Sequence, residues 1–307
     1  MIFKLIDMQL NDIYIYALKE LKGFDEKAIE SAIILSRNDV VESVEEFVDF
    51  VNFNIEERKF PQIAKPFDER VIRKAVDKAK KKEGEIVHYV SIATGGYPQK
   101  LLQSQICPLS ALSYKGNIKN TERKTIMITG SSLITNNAKL ASKYFGKIFA
   151  ANGYNILTSF SEGCEQSSIL GCVEASGIST FFLPHNIEHL SIKEKRVIPG
   201  ELEAGRSALI SASNLRKAND DTIEDTYRYL MAISDCIIVP QLSSHDHVMQ
   251  LIRKFLAANK PVYFIKYKTG GAAEYDCSNI LTPLGAKYIT SNTALKQIKD
   301  AIGEAGE

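Results

Sequence analysis

Three polar runs concentrate groups that could hold a phosphate. Gly130-Ser131-Ser132 follows the apolar run KTIMIT (124–129) and precedes Thr135, Asn136 and Asn137. Thr158-Ser159-Phe160-Ser161-Glu162-Gly163-Cys164-Glu165 begins inside YNILTS (154–159), and Gln241-Leu242-Ser243-Ser244-His245-Asp246-His247 follows CIIVP (236–240). Glycine lets backbone N–H groups approach a ligand closely, and hydroxyls add donors. A helix starting just afterwards presents unpaired N–H groups at the positive end of its dipole. The bland alternative is that the hydroxyls only cap those helices. Glu165 also has two readings: it orients a ribose hydroxyl, or it sits favourably at the start of a helix. Arg228, with nearby lysines, adds positive charge that could track a nucleic-acid backbone.

No catalytic constellation accompanies these runs. The nucleophile elbow G-x-S-x-G and the phosphate loop G-x-x-x-x-G-K-[ST] are both absent, as is G-x-G-x-x-G. His245 and His247 flank Asp246, and His185 and His189 lie four apart, but no further Cys, His or carboxylate set accompanies either pair. Neither a metal site nor a cofactor is expected, and capping or solvated histidines are the favoured reading.

The elements that must position the three runs follow from hydrophobic spacing. From Glu85 onward, short β-branched runs alternate with amphipathic helices. The strands are KTIMIT, YNILTS, ISTFFL, SALIS, CIIVP and PVYFI, and helices cover about 136–153, 165–175, 221–233 and 246–258. This alternation predicts an α/β fold, a Rossmann-like doubly wound, mostly parallel sheet whose ligands lie beyond the strands' carboxyl ends. Residues 1–84 read as a separate helical domain, SAM-like or helix-hairpin-helix-like. There LKGFDEKAIESAI joins two helices through Gly23, with Asp25 as the expected cap; a plain helix-to-helix turn is the competing reading. The expected division is therefore 1–84 and 85–307.

The chain has 307 residues, 38 of them Lys or Arg and 37 Asp or Glu, for a formal charge of +1. A polybasic DNA-coating protein is excluded; a local basic groove is not, because net charge reports only the sum. Residues 1–85 hold 15 basic and 18 acidic side chains and residues 86–307 hold 23 and 19, so the small excess falls with the sheet. No apolar run is long enough to span a membrane, and Lys4, Asp7 and Asp12 interrupt the start where a signal peptide would be apolar, so a cytoplasmic location is expected. The five cysteines, Cys107, Cys164, Cys172, Cys236 and Cys277, form no C-x-x-C and read as reduced thiols.

In their order along the chain, these motifs resemble those of the DNA-processing protein A (Smf) family. Tyr97-Pro98-Gln99-Lys100-Leu101-Leu102, then Pro108, Tyr114-Lys115-Gly116-Asn117 and Gly130-Ser131-Ser132 follow its YP-x-x-L, P-x-x-L-[FY]-x-[KR]-G-N and V-G-S-R series. The run from Thr158 to Glu165 sits where the family has S-G-L-A-x-G-I-D, and Ser278 to Ala286 resembles its closing G-x-N-x-L-I-x-x-G-A. The resemblance implies a Rossmann-like protein that binds single-stranded DNA as a homodimer and hands it to a RecA-type recombinase during transformation. The chain departs from the pattern where Ser132 replaces an Arg, Ser159 a Gly, Glu165 an Asp and Ile169 a His. Of R-N-R-I-I-A only the second Arg is kept, as Arg228. Serine cannot replace the bidentate phosphate contact of a guanidinium. A second expectation is therefore a Rossmann-like nucleotide-binding sensor or nucleotide-processing protein, for example in defence against foreign DNA, with Glu162 or Glu165 as a base.

Overall fold

The computed structural model describes residues 10–39, 41–84, 86–93, 95–104, 111–243, 246, 248–265, 267 and 278–302. Four N-terminal helices form one layer: α1 (Asp12–Lys19), α2 (Glu26–Leu35), α3 (Val44–Glu56) and α4 (Glu69–Lys82). Each starts on a side chain that accepts a bond from the first turn: Asn11, Asp25, Ser43 and Asp68. Asp25 is the cap expected from the sequence, and Gly23 makes the preceding turn with φ +94°. The helices bury Ile15, Leu18, Phe47, Val51, Ile72 and Val76 against one another.

The remaining chain builds one nine-stranded sheet: β1 (His88–Val90), β2 (Leu112–Gly116), β3 (Thr125–Ile128), β4 (Asn155–Thr158), β5 (Ile178–Phe182), β6 (Ser207–Ser211), β7 (Cys236–Val239), β8 (Val262–Ile265) and β9 (Lys287–Ile289). Its order is β1-β2-β6-β5-β4-β3-β7-β8-β9. From β6 to β9 every pair is parallel, whereas β1 and β2 add an antiparallel edge. The strands β3, β4 and β7 are buried throughout because helices cover both faces of the sheet. The fold is thus the α/β, mostly parallel, doubly wound one predicted. β1, β2 and β9 were not in that prediction. Their short, half-polar sequences HYV, LSYKG and KYI lack the continuous apolar run that marks an internal strand.

The crossover helices are α6 (Asn136–Ala151) and α7 (Cys164–Glu174) on one side, and α10 (Asp220–Ile233) and α11 (Val248–Ala257) on the other. Right-handed crossovers require this split, because β3 to β5 progress in one direction along the sheet and β6 to β8 in the other. Short helices α5 (Gln99–Leu102), α8 (Ile192–Lys195), α9 (Ile198–Glu203) and α12 (Ser278–Leu281), and the last helix α13 (Ala294–Ala301), complete the described chain. α6 and α7 pack almost backbone to backbone. A Cβ on Gly146 would lie 2.0 Å from the Ser168 carbonyl oxygen, and one on Gly171 1.9 Å from that of Lys143.

The N-terminal helices sit against the β1–β2 edge. Tyr16 stacks on Tyr89 at 3.8 Å between ring centroids, and Lys19 donates to the carbonyls of Ala111 and Ala212. No helix among the described residues is long and apolar enough to cross a membrane. Among the described residues, Cys164, Cys172 and Cys236 are buried and form no disulfide, with burial pushing the Cys172 thiol up to about 12; Cys107 and Cys277 lie outside the described residues.

Candidate ligand crevice

β3 pairs in parallel with both β4 and β7, so the sheet's direction of winding reverses at β3/β7 and the loops leaving that point diverge. Between them lies a crevice of about 620 Å³. Gly130 and Ser132 from the loop after β3, Ser159, Ser161 and Glu162 from the loop after β4, and Pro184 after β5 form one side. α10 and the start of α11 form the other, with Ile223, Tyr227, Met231, Val248 and Leu251 as its apolar surface and Asp220, Glu224, Arg228, Asp246 and Lys254 as its charges.

The two loops at the reversal point are knitted together. Gly130 is required there because a Cβ would lie 2.1 Å from the Gln241 carbonyl oxygen. Ser131 donates its N–H to that same carbonyl at 2.9 Å and its hydroxyl to Asp246 Oδ2 at 2.5 Å; Asp246 Oδ2 also accepts the Ser243 N–H at 2.6 Å. Gln241, 1% exposed, accepts from the Thr135 N–H and hydroxyl and donates to the Leu133 carbonyl. Gly163 makes the matching close approach from the β4 side. Its φ is +81°, and a Cβ would sit 2.3 Å from the Ser131 carbonyl oxygen.

Beneath the crevice lies a buried carboxylate. Glu165 is 1% exposed and accepts four hydrogen bonds: from the Thr129 hydroxyl (2.8 Å), the Thr158 hydroxyl (3.0 Å), and the Ser159 N–H (2.7 Å) and hydroxyl (2.8 Å). Burial drives its pKa upward, and the hydrogen bonds from Ser159, Thr129 and Thr158 offset part of that. Both oxygens are engaged in fastening the ends of β3 and β4, so neither the ribose-orienting nor the general-base reading has a free carboxylate to use. Glu162, by contrast, lines the crevice and pairs with Lys193.

The sequence-predicted residues therefore fall into two groups. Gly130, Ser132, Ser159, Ser161 and Arg228 line the crevice; Ser131, Thr158, Gly163, Glu165 and Ser243 hold the loops that shape it. Ser244, His245 and His247 lie outside the described residues. Thr135 caps α6 through the Ala138 N–H, so the capping reading holds for that hydroxyl. Ile169 is fully buried in α7, which explains how an apolar side chain stands where the family pattern has His.

What sequence reasoning missed is the charge on the α10 side. Arg228 pairs with Glu224 at 3.1 Å and Asp225 at 3.2 Å, and Lys254 reaches the same Glu224 oxygen at 3.4 Å. The lining holds four carboxylates, Glu162, Asp220, Glu224 and Asp246, against two cations that share one of them. The run DDTIED at 220–225 carried this signal, but a helix start rich in acids reads equally as dipole stabilisation. Tyr227 also lines the crevice; burial, then the nearby Glu165 carboxylate, raises its phenol pKa, so it is an uncharged, largely apolar wall.

His185, on the loop after β5, places Nε2 3.0 Å from Glu194 Oε1 and Nδ1 3.1 Å from the Asn186 carbonyl oxygen. Both ring nitrogens face acceptors, which calls for the doubly protonated imidazolium. Burial would lower its pKa, but the bonds to Glu194 and the Asn186 carbonyl outweigh that and raise it. Among the described residues, no group of three or more His, Cys, Asp or Glu could hold a metal ion.

A family model described as DNA recombination-mediator protein A matches residues 88–299. Among solved structures, that of DNA processing protein A from Streptococcus pneumoniae is similar at TM-score 0.71 and 16% identity, covering 94% of this chain and 98% of that one. A structure of DNA processing protein A from Helicobacter pylori, which describes that protein's single-stranded DNA binding mode, is similar at TM-score 0.58 and 19% identity, over 69% of this chain and 97% of that one. At these identities the likeness shows the fold. No curated protein matches the chain by sequence.

Proposed function

Because the chain belongs to the DNA recombination-mediator protein A family, we propose that it binds single-stranded DNA in the crevice between β3 and β7 and acts as a binding protein without chemistry of its own. One observation carries the reading: two glycine- and serine-bearing loops, after β3 and β4, converge with the loop after β7 at the sheet's reversal point beside an apolar wall. The apolar side chains Ile223, Tyr227, Met231 and Leu251 suit a base. The carboxylates lining the same crevice suit its N–H edge far better than a run of phosphates. Passing the strand to a RecA-type recombinase, as a homodimer in the cytoplasm during DNA uptake, is the wider role we propose, supported by the family's description as a recombination mediator.

The excess of carboxylates also favours a second reading, a sensor that takes the base of a free nucleotide and leaves its phosphate outside. Mobility shift with a short oligonucleotide separates the two. The first reading expects a salt-sensitive complex that Ser132→Glu weakens by placing a carboxylate at the mouth. The second expects no shift, but thermal stabilisation by one member of a nucleotide panel, about 2.7 kcal/mol at a hundredfold its Kd.

A further inference from the structure

We propose that single-stranded DNA leaves the crevice over Ser132 and runs along the outer face of α6, with its phosphates on Lys139, Lys143 and Lys147 and a base against Tyr144. The proposal rests on the reading that the crevice holds single-stranded DNA. A strand held there needs its phosphates neutralised, and the crevice supplies only part of that charge, since Arg228 and Lys254 both pair with Glu224. α6 supplies more. Its sixteen residues hold three lysines, spaced four apart, and no acid. Lysines at i, i+4 and i+8 share one side of a helix. Lys143 and Lys147 share a single carboxylate, Glu174 of α7, and Lys139 makes no ion pair among the described residues. That leaves a surplus of positive charge for a polyanion.

Beside the lysines runs a second row that water alone does not account for. Leu140 and Tyr144, four residues apart on α6, are 58% and 42% exposed, and Leu133, 84% exposed, directly follows the crevice-lining Ser132. A basic row next to an apolar and aromatic row is the pairing that single strands use, phosphates on one and bases on the other. Over 16 residues the helix extends about 24 Å, a path of several nucleotides.

The test compares an oligonucleotide of about 4 nucleotides, which fits the crevice, with one of about 20, which extends past it. Lys139→Gln/Lys143→Gln/Lys147→Gln is expected to lower the log–log salt slope for the long oligonucleotide by about 2, and its affinity at low salt roughly tenfold, while leaving the short one unchanged. Tyr144→Ala lowers long-strand affinity about fivefold and Tyr144→Phe retains it. All these side chains are on the surface, so a thermal melt at the parental temperature confirms folding. An unchanged slope for the long oligonucleotide overturns the α6 path and leaves this face to a protein partner. Failure of the parent protein to bind the short oligonucleotide overturns the crevice reading instead.

Discussion

α6, which follows the crevice-lining loop after β3, and α10, which lines the crevice itself, lie on opposite faces of the sheet and carry opposite charge. α6 has three lysines and no acid; α10 has Asp220, Asp221, Glu224 and Asp225 against Arg228 alone. A net charge of +1 for the whole chain conceals this division. On the proposed reading, phosphates and bases are met by different walls. The α6 side is held by close glycine contacts and buried hydrogen bonds, whereas the α10 side presents exposed ion pairs.

The largest effect is expected where the α6 side is fixed. Gly163→Val puts a Cβ 2.3 Å from the Ser131 carbonyl oxygen at a φ of +81°. It should cost about 3 kcal/mol or more, a Tm fall of roughly 6 °C or more by calorimetry, and abolish binding with it. A variant that melts like the parent would show that the loops are not clamped.

Next is Glu165. Replacing it by Ala strands the Thr129, Thr158 and Ser159 donors and should cost about 2–3 kcal/mol in urea unfolding. Its raised pKa means the folded state holds the proton more tightly than the unfolded one. The stability linked to this group is therefore full below the unfolded pKa and lost as pH rises through the folded one. Glu165→Gln should remove that part of the pH dependence while keeping most of the hydrogen bonds; an unaltered pH profile would contradict the assignment.

The α10 wall is probed by Glu224→Gln, which releases both Arg228 and Lys254. Affinity for single-stranded DNA should rise about fivefold at low salt, measured by anisotropy, and Arg228→Gln should lower it by a similar factor. If Glu224→Gln weakens binding, the carboxylate itself reads the ligand.

The smallest expected effect concerns the loop after β5, whose Pro184 lines the crevice across from α10. His185 is raised and Glu194 is lowered, the burial of each being outweighed by their mutual bond and the adjoining backbone bonds. The pair's stability is lost as pH climbs past the usual histidine range through the raised pKa, and again as pH falls below the usual glutamate range. His185→Gln should flatten both limbs at a cost of about 1 kcal/mol, read from Tm against pH.

The parallel core was legible in the sequence because strands buried on both faces, such as TIMI and CIIV, cannot hide their composition. The polar loops were legible for a related reason: glycine beside serine at a strand's end marks a close backbone approach, and Gly130 and Gly163 each make one. Which of those polar residues would face the crevice was not. Ser131 and Ser132 are neighbours of the same type, yet one is 3% exposed and bound to Asp246 while the other lines the opening. Only the register of the β7 loop decides between them. Glu165 looked like a ligand group because sequence shows its charge and not its burial. The short edge strands and the pairing of Arg228 with its own helix depend on tertiary neighbours that no local pattern encodes.

The crevice and the α6 face are proposed to hold a single strand of DNA together. Anisotropy of a labelled oligonucleotide of about 20 nucleotides across a salt series tests it most directly. The prediction is saturable binding whose log–log salt slope is negative by roughly 0.7 per phosphate contacted, and which loses about 2 in slope when the three α6 lysines are removed. No binding at low salt with micromolar protein would contradict it.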